Sequence, residues 1–278
     1  MSGEENFSYA APDDPLRRRL LIRLIERMTG QPRLKRLYQA YRAGRTQAGF
    51  WDDAIARLKL TLVFDARPLE SWPKSGPLVV VCNHPFGVVD GLSICALVAK
   101  LRPDFRILTN AVLTKAEEIR HHLLPGDFSG TTEARKINLR SRGEAKTHLR
   151  QGGCLIVFPA GGVSTTPSLW QARAVDAEWG GFTAKLIVQA DATVAPLYFE
   201  GQNSRLFQIA SHIHMTLRLS LLFKEAHDRI GSVVTMHPGA AIPYAALAHL
   251  GGGRALMDHL REVTYDLGRD GALSPAPD

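Results

Sequence analysis

From residue 60 onward, short runs of apolar and β-branched residues alternate with longer stretches whose apolar positions recur every three or four residues. Leu60–Phe64, Pro77–Cys82, Phe105–Leu108, Cys154–Phe158, Val194–Phe199 and Val233–His237 read as strands, since each is brief and rich in apolar or β-branched side chains. Gly91–Leu101, Thr114–Leu123, Arg142–Gln151, Phe182–Ala190 and Arg254–Leu267 read as helices. Strands that alternate with helices predict a single layered α/β domain, with a largely parallel central sheet flanked by helices. In such sheets, sites form beyond the carboxyl ends of the strands.

The pattern before residue 60 is different. Leu16, Leu20, Leu21, Leu24, Ile25 and Met28 recur at helical spacing, with Arg17, Arg18, Arg19, Arg23 and Arg27 between them. After a break at 29–32 (TGQP), Arg33, Lys35, Arg36, Arg42 and Arg45 interleave with Leu34, Leu37, Tyr38 and Tyr41. Between residues 15 and 45, ten basic residues face one acidic residue, Glu26, so a pair of basic amphipathic helices suited to an anionic membrane surface is expected. The alternative is a helical pair that packs on the main domain and leaves its arginines solvated. The expected organisation is a disordered N-terminus at 1–14, the basic helical segment at 15–55, the α/β domain at 56–268 and a disordered tail at 269–278.

The composition is that of a globular chain: 278 residues, 45% hydrophobic, with a formal net charge of +7. That charge favours negatively charged partners without choosing among nucleic acid, anionic lipid and phosphorylated substrates. Cys82, Cys95 and Cys154 lie in apolar runs and form no CxxC pair, which argues against a disulfide frame or a zinc knuckle and fits a reducing, cytoplasmic compartment. The polar, acidic start is not a secretory signal, and no apolar run is long enough to span a bilayer. His212 and His214 share one side of any strand, but no nearby Cys or carboxylate completes a metal set.

The candidate chemistry begins at 79–91 (VVVCNHPFGVVDG). Val79–Cys82 reads as an inner strand, Pro85 and Gly87 end it, and Asp90 sits at the start of the apolar helix that follows. This loop can bring His84 and Asp90 together, and a carboxylate on one ring nitrogen holds the imidazole ready to take a proton from a hydroxyl at the other. The plain alternative is a loop histidine and an aspartate that only caps a helix. A second loop, 158–166 (FPAGGVSTT), ends a strand with Gly161, Gly162 and Ser164, and can present N–H groups and hydroxyls to an anion or a developing oxyanion. It can equally be an ordinary turn; it is neither a Walker loop nor a nucleophile elbow. Arg135, Lys136, Arg140 and Arg142 form a basic cluster able to grip a phosphate or carboxylate, unless they are surface charges.

In four blocks, and in their order, the sequence resembles the glycerolipid (lysophospholipid, or 1-acyl-glycerol-3-phosphate) acyltransferase family, in its hemolysin-like bacterial branch. The blocks are NHPFGVVDG (83–91), EARKINLRSRGEA (133–145), LIVFPAGGVS (155–164) and VAPLYFEGQNSR (194–205). The resemblance implies an acyltransferase domain at 56–268 that serves membrane lipid biosynthesis. His84 and Asp90 deprotonate an acceptor hydroxyl, which attacks an acyl thioester directly, without an acyl-enzyme. Asn83, Arg135, Arg140, Gly161, Gly162, Ser164, Asn203 and Arg205 fall in the matching blocks and are the substrate-binding candidates; Asn203 and Arg205 can also serve only to cap the helix that follows. The implied acceptor is a lysolipid, either lysophosphatidic acid or a lyso-aminolipid such as lyso-ornithine lipid. The co-substrate is acyl carrier protein or coenzyme A carrying the acyl thioester, with no bound cofactor and no metal. The expected location is peripheral, on the cytoplasmic face of the inner membrane.

Two departures stand out. Five residues separate His84 from Asp90, as tends to hold in the similar branch too, against four in the commonest family form. In the third block, Ala160 and Gly162 occupy both positions where a glutamate is found, so no carboxylate remains there to contact the acceptor. That loss keeps a catalytically silent lipid-binding relative in view. A nucleic-acid-binding protein fits less well, because the basic N-terminal segment offers only Tyr38 and Tyr41 as stacking aromatics.

Overall fold

The computed structural model describes residues 16–17, 19–20, 49–110, 117–126, 131–213 and 215–271. The stretch 1–14 and most of the expected basic segment 15–55 lie outside them. Among the described residues seven strands form one sheet: β1 Thr61–Val63, β2 Leu78–Cys82, β3 Arg106–Asn110, β4 Leu123–Gly126, β5 Cys154–Val157, β6 Thr193–Phe199 and β7 Val233–Pro238. Their order is β1-β7-β6-β2-β5-β3-β4, and every pairing is parallel except β6 with β7.

The helices cover both faces, which makes this the single α/β domain with a mostly parallel sheet that the pattern predicts. On one face lie α1 Gly49–Arg57, α2 Val88–Leu101 and α6 Met215–Asp228. On the other lie α3 Thr132–Arg150, α4 Gly181–Ala190, the short α7 Tyr244–Leu247 and α8 Arg254–Gly271. Strand β2 is wholly buried and feeds both cores: Leu78, Val80 and Cys82 pack toward α2, whereas Val79 and Val81 pack toward α3, α4 and α8. This explains why its sequence is continuously apolar rather than alternating. Burying each of these aliphatic side chains contributes about 1.5–3 kcal/mol.

Several expected boundaries shift. Helix α2 starts at Val88, so Asp90 lies inside its first turn instead of ahead of it. The helix expected at 114–123 gives way to a 3₁₀ stretch, Glu117–His122, followed by β4. Pro125 lacks an N–H and is tolerated because β4 is an edge strand. Helix α3 begins at Thr132, well before the expected 142, and Thr131 caps it by accepting a hydrogen bond from the Ala134 N–H at 3.1 Å. Helix α8 runs to Gly271, past residue 269 where a tail is expected.

The helix expected after Asn203 and Arg205 is α5 (Arg205–Ile213), and it is followed by α6, for which the pattern gives no bounds. On α5, Phe207 and Ala210 are buried against Val163, Leu221 and Leu222, but Leu206, Ile209 and Ile213 are exposed.

Candidate active site

The site is built where β2, β5 and β6 end. The loop after β2 folds back on itself so that His84 Nδ1 lies 2.7 Å from Asp90 Oδ2. Asp90 is fully buried, and its carboxylate also accepts the N–H groups of Phe86, at 3.1 and 3.0 Å, and Gly87, at 3.0 Å. An acceptor held this way calls for the N–H of His84 on Nδ1, which leaves Nε2 as the proton-accepting nitrogen. Among the described residues Nε2 has no hydrogen-bond partner. The ring is stacked on Phe158 from the third block, with centroids 4.0 Å apart, which fixes its plane.

Gly87 permits this fold, since it adopts φ +88° and an added Cβ would meet Leu222 at 3.1 Å and Val163 at 3.3 Å. Asn83 ties the loop to the neighbouring strand: its amide donates to Phe199 O at 2.9 Å and accepts the Phe199 N–H at 2.6 Å. Both ends of that side chain are engaged by backbone.

The third block packs directly on the dyad loop. The Ser164 N–H donates to His84 O at 2.7 Å, and its hydroxyl donates to Asp176 Oδ1 at 2.5 Å. Asp176 also accepts the His84 N–H at 3.1 Å and the Trp179 indole N–H at 2.9 Å. Burial pushes the Asp176 carboxyl above the usual range, and these hydrogen bonds pull against that rise. The Gly161 N–H is bound to Phe158 O at 2.9 Å, whereas the N–H groups of Gly162 and Val163 make no hydrogen bond among the described residues. Beside them, Arg218 of α6 donates to Val163 O, and burial lowers its guanidinium from the ordinary arginine value.

The fourth block meets the first through an aromatic ring. An added Cβ on Gly201 would lie 2.8 Å from the Phe86 ring, and the Arg229 guanidinium covers that ring 3.5 Å from its centroid while donating to Gln202 O at 2.7 Å. Burial lowers Arg229, and the negative charge of Asp90 counters that effect, so a cation stands beside the buried carboxylate. Asn203 is buried, with neither amide atom bonded among the described residues. Arg205 instead holds the preceding loop, donating to Leu169 O and to Gln171 O at 2.9 Å.

The second block is placed apart from these contacts. Arg135 is exposed in the first turns of α3, and Arg140 pairs with Glu144 at 2.8 Å. Arg140 lines a cleft of about 570 Å³ with Arg106, Lys136, Leu139 and His148, none of which belongs to the other three blocks. The cations that do approach the dyad loop and the glycine turn, Arg229 and Arg218, were not legible in the sequence, and neither was Asp176. Each is distant in the chain from what it touches, and no spacing rule marks it. Of the remaining features, His212 bonds the Thr166 hydroxyl at 3.1 Å.

Comparison with known proteins places the chain in a family. A family model described as acyltransferase matches residues 53–270. A curated relative, the lyso-glycine lipid O-acyltransferase of Phocaeicola vulgatus, is 26% identical over 150 residues, covering 54% of this chain and 51% of that protein. The chain thus spans about half the length of the curated relative it matches. The crystal structure of PlsC, the 1-acyl-sn-glycerophosphate acyltransferase of Thermotoga maritima, superposes with a TM-score of 0.52 at 15% identity, covering 92% of this chain and 98% of that one, a likeness of fold. With the family match extending over most of its length, the chain belongs to the acyltransferase family.

Proposed function

We propose that the protein transfers a fatty acyl group from an acyl thioester to the free hydroxyl of a lysolipid, at a membrane surface. The observation that carries this reading is the 2.7 Å contact between His84 Nδ1 and Asp90 Oδ2, at the carboxyl end of the central strand. Nε2 takes the proton of the acceptor hydroxyl as its oxygen attacks the thioester carbonyl. The C–O bond forms, the oxyanion collapses, the C–S bond breaks, and the departing thiolate takes the proton back from Nε2. Asp90 orients the ring and stabilises its imidazolium. The unspent N–H groups of Gly162 and Val163 are suited to the oxyanion, with Arg218 adding positive charge beside them.

The name of the Phocaeicola relative supports a lyso-aminolipid over a lysophosphatidic acid as acceptor, and the third block without a glutamate agrees with that preference. The donor is acyl carrier protein or coenzyme A, both anionic and both suited to a chain of net charge +7. Among the described residues no helix is long and apolar enough to cross a membrane, and the reading is of a peripheral enzyme on the cytoplasmic face of the inner membrane.

The test is transfer from labelled acyl carrier protein and acyl-CoA to lyso-glycine lipid, lyso-ornithine lipid and lysophosphatidic acid, with His84→Ala alongside wild type. Removing the base should lower kcat by about 10²–10⁴ with the fold retained. Full activity in His84→Ala would refute the assignment. A folded wild type that transfers to no acceptor would favour a silent lipid-binding relative, the reading that the missing third-block carboxylate also supports.

A further inference from the structure

Of the ten large apolar side chains exposed among the described residues, five gather in one place: Leu169, Trp170, Leu206, Ile209 and Ile213. Single exposed apolar residues are ordinary, but a contiguous group marks a contact surface. Leu206, Ile209 and Ile213 follow one another at three and four residue steps along α5, on the exposed part of the same wide apolar face whose other part, Phe207 and Ala210, is buried. Ile213 is 65% exposed and Trp170 is 94% exposed.

The surface is held in shape. Arg205, at the start of α5, donates to the carbonyls of Leu169 and Gln171 and so fixes the Trp170 loop beside the helix. Gln208 and His212 of α5 hold Thr166 at the loop's other end, by its N–H at 3.0 Å and its hydroxyl at 3.1 Å. No acidic residue occurs from Ser164 to Val175 or within α5, while Arg173 and Arg205 are both exposed. Apolar side chains led by a tryptophan and rimmed by arginine match the boundary between acyl chains and anionic headgroups.

We propose that this patch docks the protein on an anionic lipid surface, in addition to any contact made by the basic segment 15–55. Position and charge both favour a bilayer as the occupant. The loop that bears Trp170 is fastened to the dyad at both ends, through the Ser164 N–H on His84 O and through Asp176 on the His84 N–H. A bilayer seated on the patch therefore lies beside the mouth of the site, where a lysolipid hydroxyl has to reach Nε2. The proposal rests on the reading that the acceptor is a lipid, but its binding readout does not depend on turnover.

Trp170 makes the test specific. Trp72 and Trp179 are buried and Trp51 is partly buried, so quenching of tryptophan emission by brominated acyl chains should report mainly on Trp170. The full chain, titrated with phosphatidylglycerol/phosphatidylcholine vesicles bearing dibrominated chains, should be quenched, and Trp170→Phe should lose most of that quench. Ile209→Ser combined with Ile213→Ser should weaken vesicle affinity by roughly tenfold or more. The same variants should retain the wild-type rate with a short-chain acceptor dissolved below its micelle concentration. Equal quench in wild type and Trp170→Phe, or unchanged affinity in the double variant, overturns the docking surface. A concentration-dependent dimer with no quench by vesicles overturns it in favour of a second copy of the chain. Quench through Trp170 without acyl transfer to any acceptor leaves the docking surface standing and removes the proposed reaction.

Discussion

Arg218 and Arg229 lie partly buried beside the glycine turn and the dyad loop, whereas Arg135 is exposed near the start of α3 and Arg140 is paired there with Glu144. The residue type is the same, but the surroundings differ. A guanidinium taken partly out of water exerts its field through a lower effective dielectric, so it can stabilise developing negative charge far more than a solvated one. An exposed arginine paired with a neighbouring glutamate is worth about 0–1 kcal/mol and is screened by salt. Burial, rather than clustering in sequence, is what separates the two pairs.

The largest test acts on the carboxylate that the buried cation stands beside. In Asp90→Asn the amide N–H groups face His84 Nδ1, which must then accept, and the ring proton moves to Nε2. With the wrong tautomer, kcat should fall by about 10³–10⁴. The N–H groups of Phe86 and Gly87 lose a charged acceptor, at a cost of about 1–3 kcal/mol in stability by denaturant titration. Activity within tenfold of wild type would separate the dyad from the catalysis and remove the reason for a cation there.

Next comes the direct contrast between arginines. Arg229→Met strips the Phe86 ring of its cation and Gln202 O of its donor, and should cost about 1–3 kcal/mol. It should also lower kcat/KM by at least about tenfold, as should Arg218→Met. Arg140→Met should cost about 0.5 kcal/mol or less, with a smaller effect on kcat/KM than either. A larger kinetic effect at Arg140 would invert the comparison and move the acceptor's anionic group toward the cleft on α3.

The smallest expected effect is a pH dependence from two partly buried histidines, His148 on α3 and His122 against Trp51 of α1. Burial holds the imidazoles of His148 and His122 below the ordinary histidine value, only partly offset by their hydrogen bonds with Cys154 O at 3.0 Å and Phe105 O at 2.7 Å. The folded state therefore binds these protons less readily than the unfolded chain, whose histidines titrate near about 6.5. Their stabilising effect is complete above that value and is lost as pH falls through it toward the lower folded value. Denaturant midpoints should decline from pH 7 to pH 5, and His148→Gln should flatten part of the decline. A midpoint independent of pH would show that neither imidazole is held neutral by the fold.

Legibility in the sequence followed the range of the interactions. His84 and Asp90 are six residues apart, joined by a proline and a glycine whose backbone preferences turn the loop, so their meeting could be expected from local chemistry. Six strands are legible as short apolar or β-branched runs, unbroken where a strand is buried throughout as in β2 and β5, while β4 is hidden by Pro125 and Gly126. The apolar face of α5 is continuous, and its division into a buried part and an exposed patch depends on packing against α6. The third block was recognised as a loop, but its serine hydroxyl is engaged by Asp176, a residue with no local signal.

By itself, then, the sequence determined the α/β class, the place where β2 ends and the meeting of His84 with Asp90, because backbone propensity, apolar period and short loop closure act over a few residues. Only the tertiary structure decided that Arg218 stands at the glycine turn and Arg229 at the dyad loop, that Asp176 accepts the His84 N–H, and that the Trp170 loop lies beside α5. Those meetings depend on how distant segments pack to exclude water, and no spacing along the chain encodes them.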